Sequence, residues 1–131
     1  MPAGLLDTSV LIDLDDPAVA AGLPEESAIC TVTLAELAAG PHLTDDHTER
    51  ARRQARLQQV EALFDPLPLD VAVSRSYGLI VASVVAAGRR HRSRVADLLI
   101  AATAHAHGAR LYTRNPDDFL GLEELITVTT I

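Results

Sequence analysis

A three-layer α/β fold, with a mostly parallel sheet of four or five short strands flanked by helices, is predicted by three features of the sequence. Short apolar runs alternate with longer helical patterns along the chain, the order that builds a parallel sheet through crossover connections. Only four aromatic residues are present (Phe64, Tyr77, Tyr112 and Phe119) and no Trp. The core must therefore be built from Leu, Ile, Val and Ala, which suits helices packed on a parallel sheet. Finally, 131 residues with 48% hydrophobic and 22% charged side chains suit one globular domain, expected to span residues 1–131, and leave no room for a second.

Taken in order, Leu5 and Leu6 begin a strand that ends at Asp7-Thr8-Ser9, and residues 10–14 continue as a helix stopped by Asp15-Asp16-Pro17. Residues 28–31 form a short strand. Residues 33–40 read as a helix opened by the capping box Thr33-x-x-Glu36 and stopped by Gly40-Pro41. A polar loop over 42–47 leads to a charged helix over 48–64, with Leu57, Val60 and Leu63/Phe64 at spacings of three and four. After an extended link at 66–69, a helix over 70–87 ends at Gly88, a basic loop follows at 89–94, and an Ala-rich helix over 95–107 closes at Gly108. Residues 109–113 form a strand, Asn115-Pro116 caps and starts a last helix, and residues 125–131 are β-branched and strand-like.

Residues 1–6 lack a basic leader region, and no run of about 18 apolar residues occurs, so a cytoplasmic protein with no membrane partner is expected. Cys30 is the sole cysteine, which excludes an internal disulfide or a cysteine-based zinc site; its apolar surroundings predict a buried, inert thiol. His105 and His107 are two apart on a helix and point to different sides, so they do not form a metal pair. All 11 basic residues are Arg. That excludes a phospho-receiver domain, which needs a Lys near its last strand. Asp7-Thr8-Ser9 lacks the second Asp of a haloacid-dehalogenase-type phosphatase, and no phosphate-binding glycine motif is present.

Carboxylates gather where an open parallel sheet places its sites, beyond the carboxyl ends of strands. Asp7 ends the first strand, Asp117 and Asp118 follow the strand at 109–113, and Glu36 and Asp97 lie early in helices that can return to the same edge. Such an oxygen-only set suits Mg²⁺ or Mn²⁺. Each residue also has a plainer reading: Asp7 as an N-cap, Glu36 as a capping-box partner, and Asp97, Asp117 and Asp118 as complements to helix dipoles. A net charge of −7 looks unfavourable for binding nucleic acid. The candidate site accounts for four of those charges, however, and Arg50, Arg52, Arg53 and Arg56, then Arg89, Arg90, Arg92 and Arg94, form two basic clusters.

The ordered set decides among these readings. Leu5-Leu6-Asp7-Thr8-Ser9-Val10-Leu11-Ile12-Asp13, the segment from Thr31 to Gly40 around Glu36, the segment from Asp97 to Gly108, and Thr113-Arg114-Asn115-Pro116-Asp117-Asp118-Phe119 resemble, in sequence order, the four motifs of PIN domains, in particular VapC-type toxin ribonucleases of toxin–antitoxin systems. The resemblance implies a Mg²⁺-dependent endoribonuclease (Mn²⁺ being an alternative ion) that hydrolyses RNA phosphodiester bonds. A catalytically silent PIN-like module that binds a protein or RNA is the alternative. The resemblance implies Asp7, Glu36, Asp97 and Asp117 as catalytic residues and Asp7, Glu36, Asp97, Asn115 and Asp117 as metal ligands. Asn115 stands where many relatives carry Asp, which weakens a second metal position. Asp117 is favoured over Asp118, which capping would turn back toward Asn115. The resemblance further implies a homodimer and a small VapB-like antitoxin, docked in a groove around residues 33–64 whose apolar face includes Leu57 and Val60.

Overall fold

The computed structural model describes residues 3–131. Its sheet is built around β1 (Gly4–Leu6), which pairs with β2 (Ser27–Ala28) on one side and β3 (Leu111–Thr113) on the other, while β4 (Val128–Thr130) extends the far edge; the order is β2-β1-β3-β4. Every pairing is parallel. Each return must therefore cross the sheet through a helix, and all four carboxyl ends open on one edge.

Strand alternation explains the three layers. Leu5 and Leu111 belong to a buried cluster with Val73, Ile80 and Val84 of α5 (Val71–Ala86) and Leu98 and Ala101 of α6 (Val95–His107). Their neighbours Leu6 and Tyr112 face the other way, into a cluster with Val10 and Leu11 of α1 (Thr8–Ile12), Val19 of α2 (Pro17–Ala21), Leu37 of α3 (Thr31–Ala39) and Val60 of α4 (His47–Leu63). Period-two side chains thus feed two opposite cores from a strand of three residues. Gly4 is required where β1 begins, because a Cβ there would lie 2.6 Å from both the Pro24 and Tyr112 side chains. Gly108 ends α6 at φ 61°, the left-handed cap that glycine adopts without strain.

Several boundaries differ from the expectation, each for a local reason. Asp15-Asp16-Pro17 ends one helix and starts another: the Asp16 carboxylate accepts from the Ala18 N–H at 2.9 Å and Pro17 takes the first position of α2. The strand expected at 28–31 gives way early. Cys30 instead forms an isolated bridge to Leu67, and α3 already runs from Thr31. The helix expected after Asn115 is a single 3₁₀ turn, Pro116–Phe119, because the chain is extended again at Leu120 and left-handed at Gly121. Cys30 is buried as expected. Among the described residues no helix is long and apolar enough to cross a membrane.

Leu6 is fully buried at the centre of the α1/α3/α4 layer. Its replacement in Leu6→Ala should lower the unfolding free energy by about 2–5 kcal/mol. Urea denaturation followed by far-UV circular dichroism measures this, and a loss below about 1 kcal/mol would show that this strand does not anchor the core.

Candidate metal centre

Asp7 is placed by the β-register. Leu5 lies opposite Leu111 and Leu6 opposite Tyr112, so the next pair is Asp7 and Thr113, on the α5/α6 face. Its backbone N–H continues the pairing by donating to Tyr112 O at 2.8 Å. Asp7 is only 4% exposed, and its carboxylate makes no capping bond to α1. Instead Oδ2 accepts from Thr113 Oγ1 and from Ser9 Oγ, each at 2.8 Å. Both hydroxyls have their lone pairs engaged, Ser9 Oγ by the Arg114 N–H at 3.1 Å and Thr113 Oγ1 by the Asn115 N–H at 2.9 Å. Their protons are thereby directed to Asp7. The N-cap account of Asp7 does not survive this geometry.

Glu36 follows a similar logic on the other face. With α3 starting at Thr31 and Cys30 capping without a side-chain bond, Glu36 falls in the second turn and the expected Thr33-x-x-Glu36 capping box does not form. Thr33 is buried and sits 3.0 Å from Thr8 Oγ1. Thr8 Oγ1 donates to Glu36 Oε1 at 2.7 Å. The tripeptide Asp7-Thr8-Ser9 therefore supplies one carboxylate and the two hydroxyls that orient it and Glu36.

Asp97 is the third residue of α6, half-buried above the same edge. Its carboxyl pKa is raised from 3.8 to about 6, first by burial, then by the negative charges of Asp118, Asp7 and Glu36, with Arg94 opposing. That list places four carboxylates in one field. It contains Asp118 and not Asp117. In a 3₁₀ turn successive residues are about 120° apart, and here Phe119 is buried, Asp118 half-buried and Asp117 exposed. Asp117 enters the local bonding through its main-chain oxygen, which accepts from Arg89 Nη2 at 3.1 Å. Asp118 does not turn its carboxylate back to the cap; its N–H closes the turn on Asn115 O at 3.1 Å. Asn115 is exposed and its side chain caps nothing.

Among the described residues no three His, Cys, Asp or Glu side chains are gathered closely enough to cage an ion as they stand. The donor set nevertheless fits Mg²⁺, which is commonly held by one or two carboxylates while keeping several waters. Thr8, Ser9 and Thr113 lie within the motif strings but carry no local signal of their role, because their partners are up to 106 positions away; Asp118 is weighed from the sequence but set there behind Asp117.

The basic clusters divide on inspection. Arg50 donates to Pro41 O and Thr44 O, and Arg53 to Gly40 O, so both fasten the turn between α3 and α4. Arg52 and Arg56 line a groove of about 510 Å³ with Ile12, Leu37, Leu43 and, at one end, Glu36 and Asp13. Val60, expected to face that groove, is fully buried, and Leu57 packs on the same core. The apolar face of α4 is used by the fold itself. A larger cavity of about 670 Å³, lined by Gly4, Arg110 and Thr127 and by Glu25, Glu26, Glu123 and Glu124, lies at the opposite edge of the sheet, away from Asp7, Glu36 and Asp97.

The chain and its fold have relatives among known proteins. A sequence model of the PIN domain matches residues 4–124. Ribonuclease VapC4 of Mycobacterium tuberculosis is 36% identical over 129 residues, 95% of each chain, and Ribonuclease VapC8 of the same species is 40% identical over 101 residues, covering 77% of this chain and 89% of that protein. The crystal structure of VapBC-5 from M. tuberculosis, a member of the VapBC family of toxin–antitoxin systems, superposes with a TM-score of 0.83 at 36% identity, over 100% of this chain and 98% of that one. FitAcB from Neisseria gonorrhoeae superposes with a TM-score of 0.76 at 30% identity, over 95% and 94% of the two chains.

The Asp97 shift makes a signed prediction. Because the folded-state pKa lies above the unfolded value, its contribution to stability is full below pH 3.8 and is lost as pH rises through about 6. In EDTA, Asp97→Asn should therefore be more stable than the parent above pH 6, by about 1–2 kcal/mol after allowance for solvent screening. The advantage should vanish below about pH 4. Thermal melts of both proteins across this range check it, and a difference independent of pH would rule out a raised Asp97 pKa.

Proposed function

The chain belongs to the PIN-domain family, and from that membership we propose that it is a divalent-metal-dependent endoribonuclease, the toxin of a toxin–antitoxin pair, formed by a single domain over residues 1–131. The observation that carries the reading is the placement of buried Asp7, held by Ser9 and Thr113, and of Glu36, held by Thr8, at the carboxyl edge of the sheet, with Asp97 in the first turn of α6. The names of its relatives, ribonucleases VapC4 and VapC8, support the same activity.

Asp7 and Asp97 are the principal ligands in this proposal, with Mg²⁺ as the ion and Mn²⁺ as a substitute. Glu36, Asn115 and the Asp117-Asp118 pair border a weaker second position, where the geometry favours Asp118. An ion held by Asp7 and Asp97 would supply a water of lowered pKa and would neutralise charge on the phosphodiester. The chain's own residues do the positioning. Ser9 and Thr113 hold Asp7 Oδ2, so one carboxylate stays fixed as its neighbours repel it. Thr8 holds Glu36 Oε1, which leaves the second oxygen to orient a water. Arg90 and Arg92, exposed on the loop that leads into α6, offer sequence-independent contacts to the RNA backbone.

For regulation, the solved relatives are VapBC and FitAcB complexes, and a small cytoplasmic antitoxin is proposed here, with a homodimer as the assembly. The groove suits an amphipathic segment: apolar at Ile12, Leu37 and Leu43, basic at Arg52 and Arg56, and acidic at Glu36 and Asp13. A basic side chain of the partner would meet Glu36 and an acidic one Arg56, since Arg52 already pairs with Glu49 at 3.2 Å.

Two experiments test these readings. Asp7→Asn and Asp97→Asn should each slow Mg²⁺-dependent cleavage of total RNA by about 10²-fold or more, and EDTA should abolish it. A variant that circular dichroism shows to be folded, yet that cleaves at the parental rate, would sink the assignment. In the double variant Ile12→Glu/Leu43→Glu, binding of the proposed VapB-like antitoxin should weaken at least about tenfold, which corresponds to 1.4 kcal/mol, while RNA cleavage persists. Unchanged binding would move the partner site elsewhere.

A further inference from the structure

Arg94 is the one cation among the charges acting on Asp97. It ends the 3₁₀ turn Arg92–Arg94 that precedes α6. Its Nη1 lies 3.4 Å from Asp118 Oδ1 and 3.2 Å from the Asp118 main-chain oxygen. Charge-assisted N–H···O bonds are usually nearer 2.7–2.9 Å, so this guanidinium is loosely held, and one of its two contacts does not depend on the carboxylate. The side chains are 31% and 37% exposed, open to ions from solvent. Arg89 makes an instructive contrast: it reaches the same turn but binds only the Asp117 main-chain oxygen. Within the basic loop, Arg94 alone pairs with a carboxylate of the crevice.

We propose that Arg94 is the internal counter-ion of the crevice, holding the Asp118 carboxylate so that a divalent cation must displace it in order to use that ligand. The proposal deepens the metal-dependent reading above and rests on it. An exposed ion pair of this kind contributes little to folding, so its removal should leave the protein folded. What it changes is the access of a cation to Asp118. When the cation takes the carboxylate, Arg94 remains tethered through the main-chain oxygen at the rim of the site.

Isothermal titration of the full chain with Mn²⁺, without RNA, tests this in a double-mutant cycle of the parent, Arg94→Gln, Asp118→Asn and the double variant. Displacement predicts that Arg94→Gln tightens Mn²⁺ binding about three- to tenfold, and that this gain disappears in the Asp118→Asn background, where no carboxylate is left to compete for. An equal gain in both backgrounds would mean that Arg94 acts only through its diffuse field, and no gain, or a loss, would mean that it does not oppose the cation; either result overturns the proposal. Should Arg94→Gln fail to fold, Arg94→Met, which keeps the aliphatic stem, carries the same measurement. A parent that binds no Mn²⁺ would remove the metal-dependent reading itself, whereas Mn²⁺ binding that Arg94→Gln leaves unaltered removes only the role of Arg94.

Discussion

Like charge gathered at one edge of the sheet is the constraint to which the surrounding structure answers. Burial, and after it the negative charges of Asp118, Asp7 and Glu36, lift the Asp97 pKa to about 6, and Asp7 is almost wholly removed from water. An uncompensated carboxylate so deep would be costly. The fold offsets that cost with directed dipoles: two hydroxyl donors on Asp7 Oδ2, one on Glu36, and the start of α6 beneath Asp97. None of these cancels the charge. They hold the carboxylates in place while leaving the crevice strongly attractive to a cation.

The topology makes this economical. Because β1 lies between β2 and β3 and every strand is parallel, the residues just past β1 and β3 meet at one edge without a long loop. Alternation then sorts them. Asp7 and Thr113 continue the face of Leu5 and Leu111, toward α6 and Asp97. Thr8 turns to the opposite layer, where α3 presents Thr33 and Glu36. A one-residue slip in the pairing of β1 with β3 would separate Asp7 from Thr113 and turn Leu5 and Leu6 to the wrong cores. The core and the crevice thus depend on the same register.

What the sequence disclosed divides along physical lines. The fold class and the bounds of α6, residues 95–107, were legible because apolar periodicity and a C-terminal glycine are local signals. So was the gathering of Asp7, Glu36 and Asp97, since strand ends in a parallel sheet converge. The start of α3 was misread because its N-cap is Cys30, not the Ser, Thr, Asp or Asn that announces a helix. That error made Glu36 look like a capping residue. The distinction between Asp117 and Asp118 depends on a turn that is 3₁₀ in place of α-helical, which Asn-Pro-Asp-Asp does not specify. Arg50 and Arg53 looked like surface charge, yet they bind main-chain oxygens at the preceding turn, partners that no charge pattern reveals.

The placement of the remaining arginines bears on how an acidic chain with a net charge of −7 can engage a polyanion. Screening limits exposed charges to about 8 Å at physiological salt, so the local arrangement matters more than the total. Around the crevice, Arg89 and Arg94 are fastened to the Asp117-Asp118 turn, while Arg90 and Arg92 face solvent on the same loop. A phosphate approaching the metal-free crevice would meet four carboxylates and one engaged guanidinium, a repulsive field. Under the proposed function, a divalent cation held by Asp7 and Asp97 would lower that field. For the proposed reaction the order of events follows from the charges alone: the cation must arrive before the RNA phosphate or together with it, and the exposed arginines can hold the strand only once the acids behind them have been neutralised.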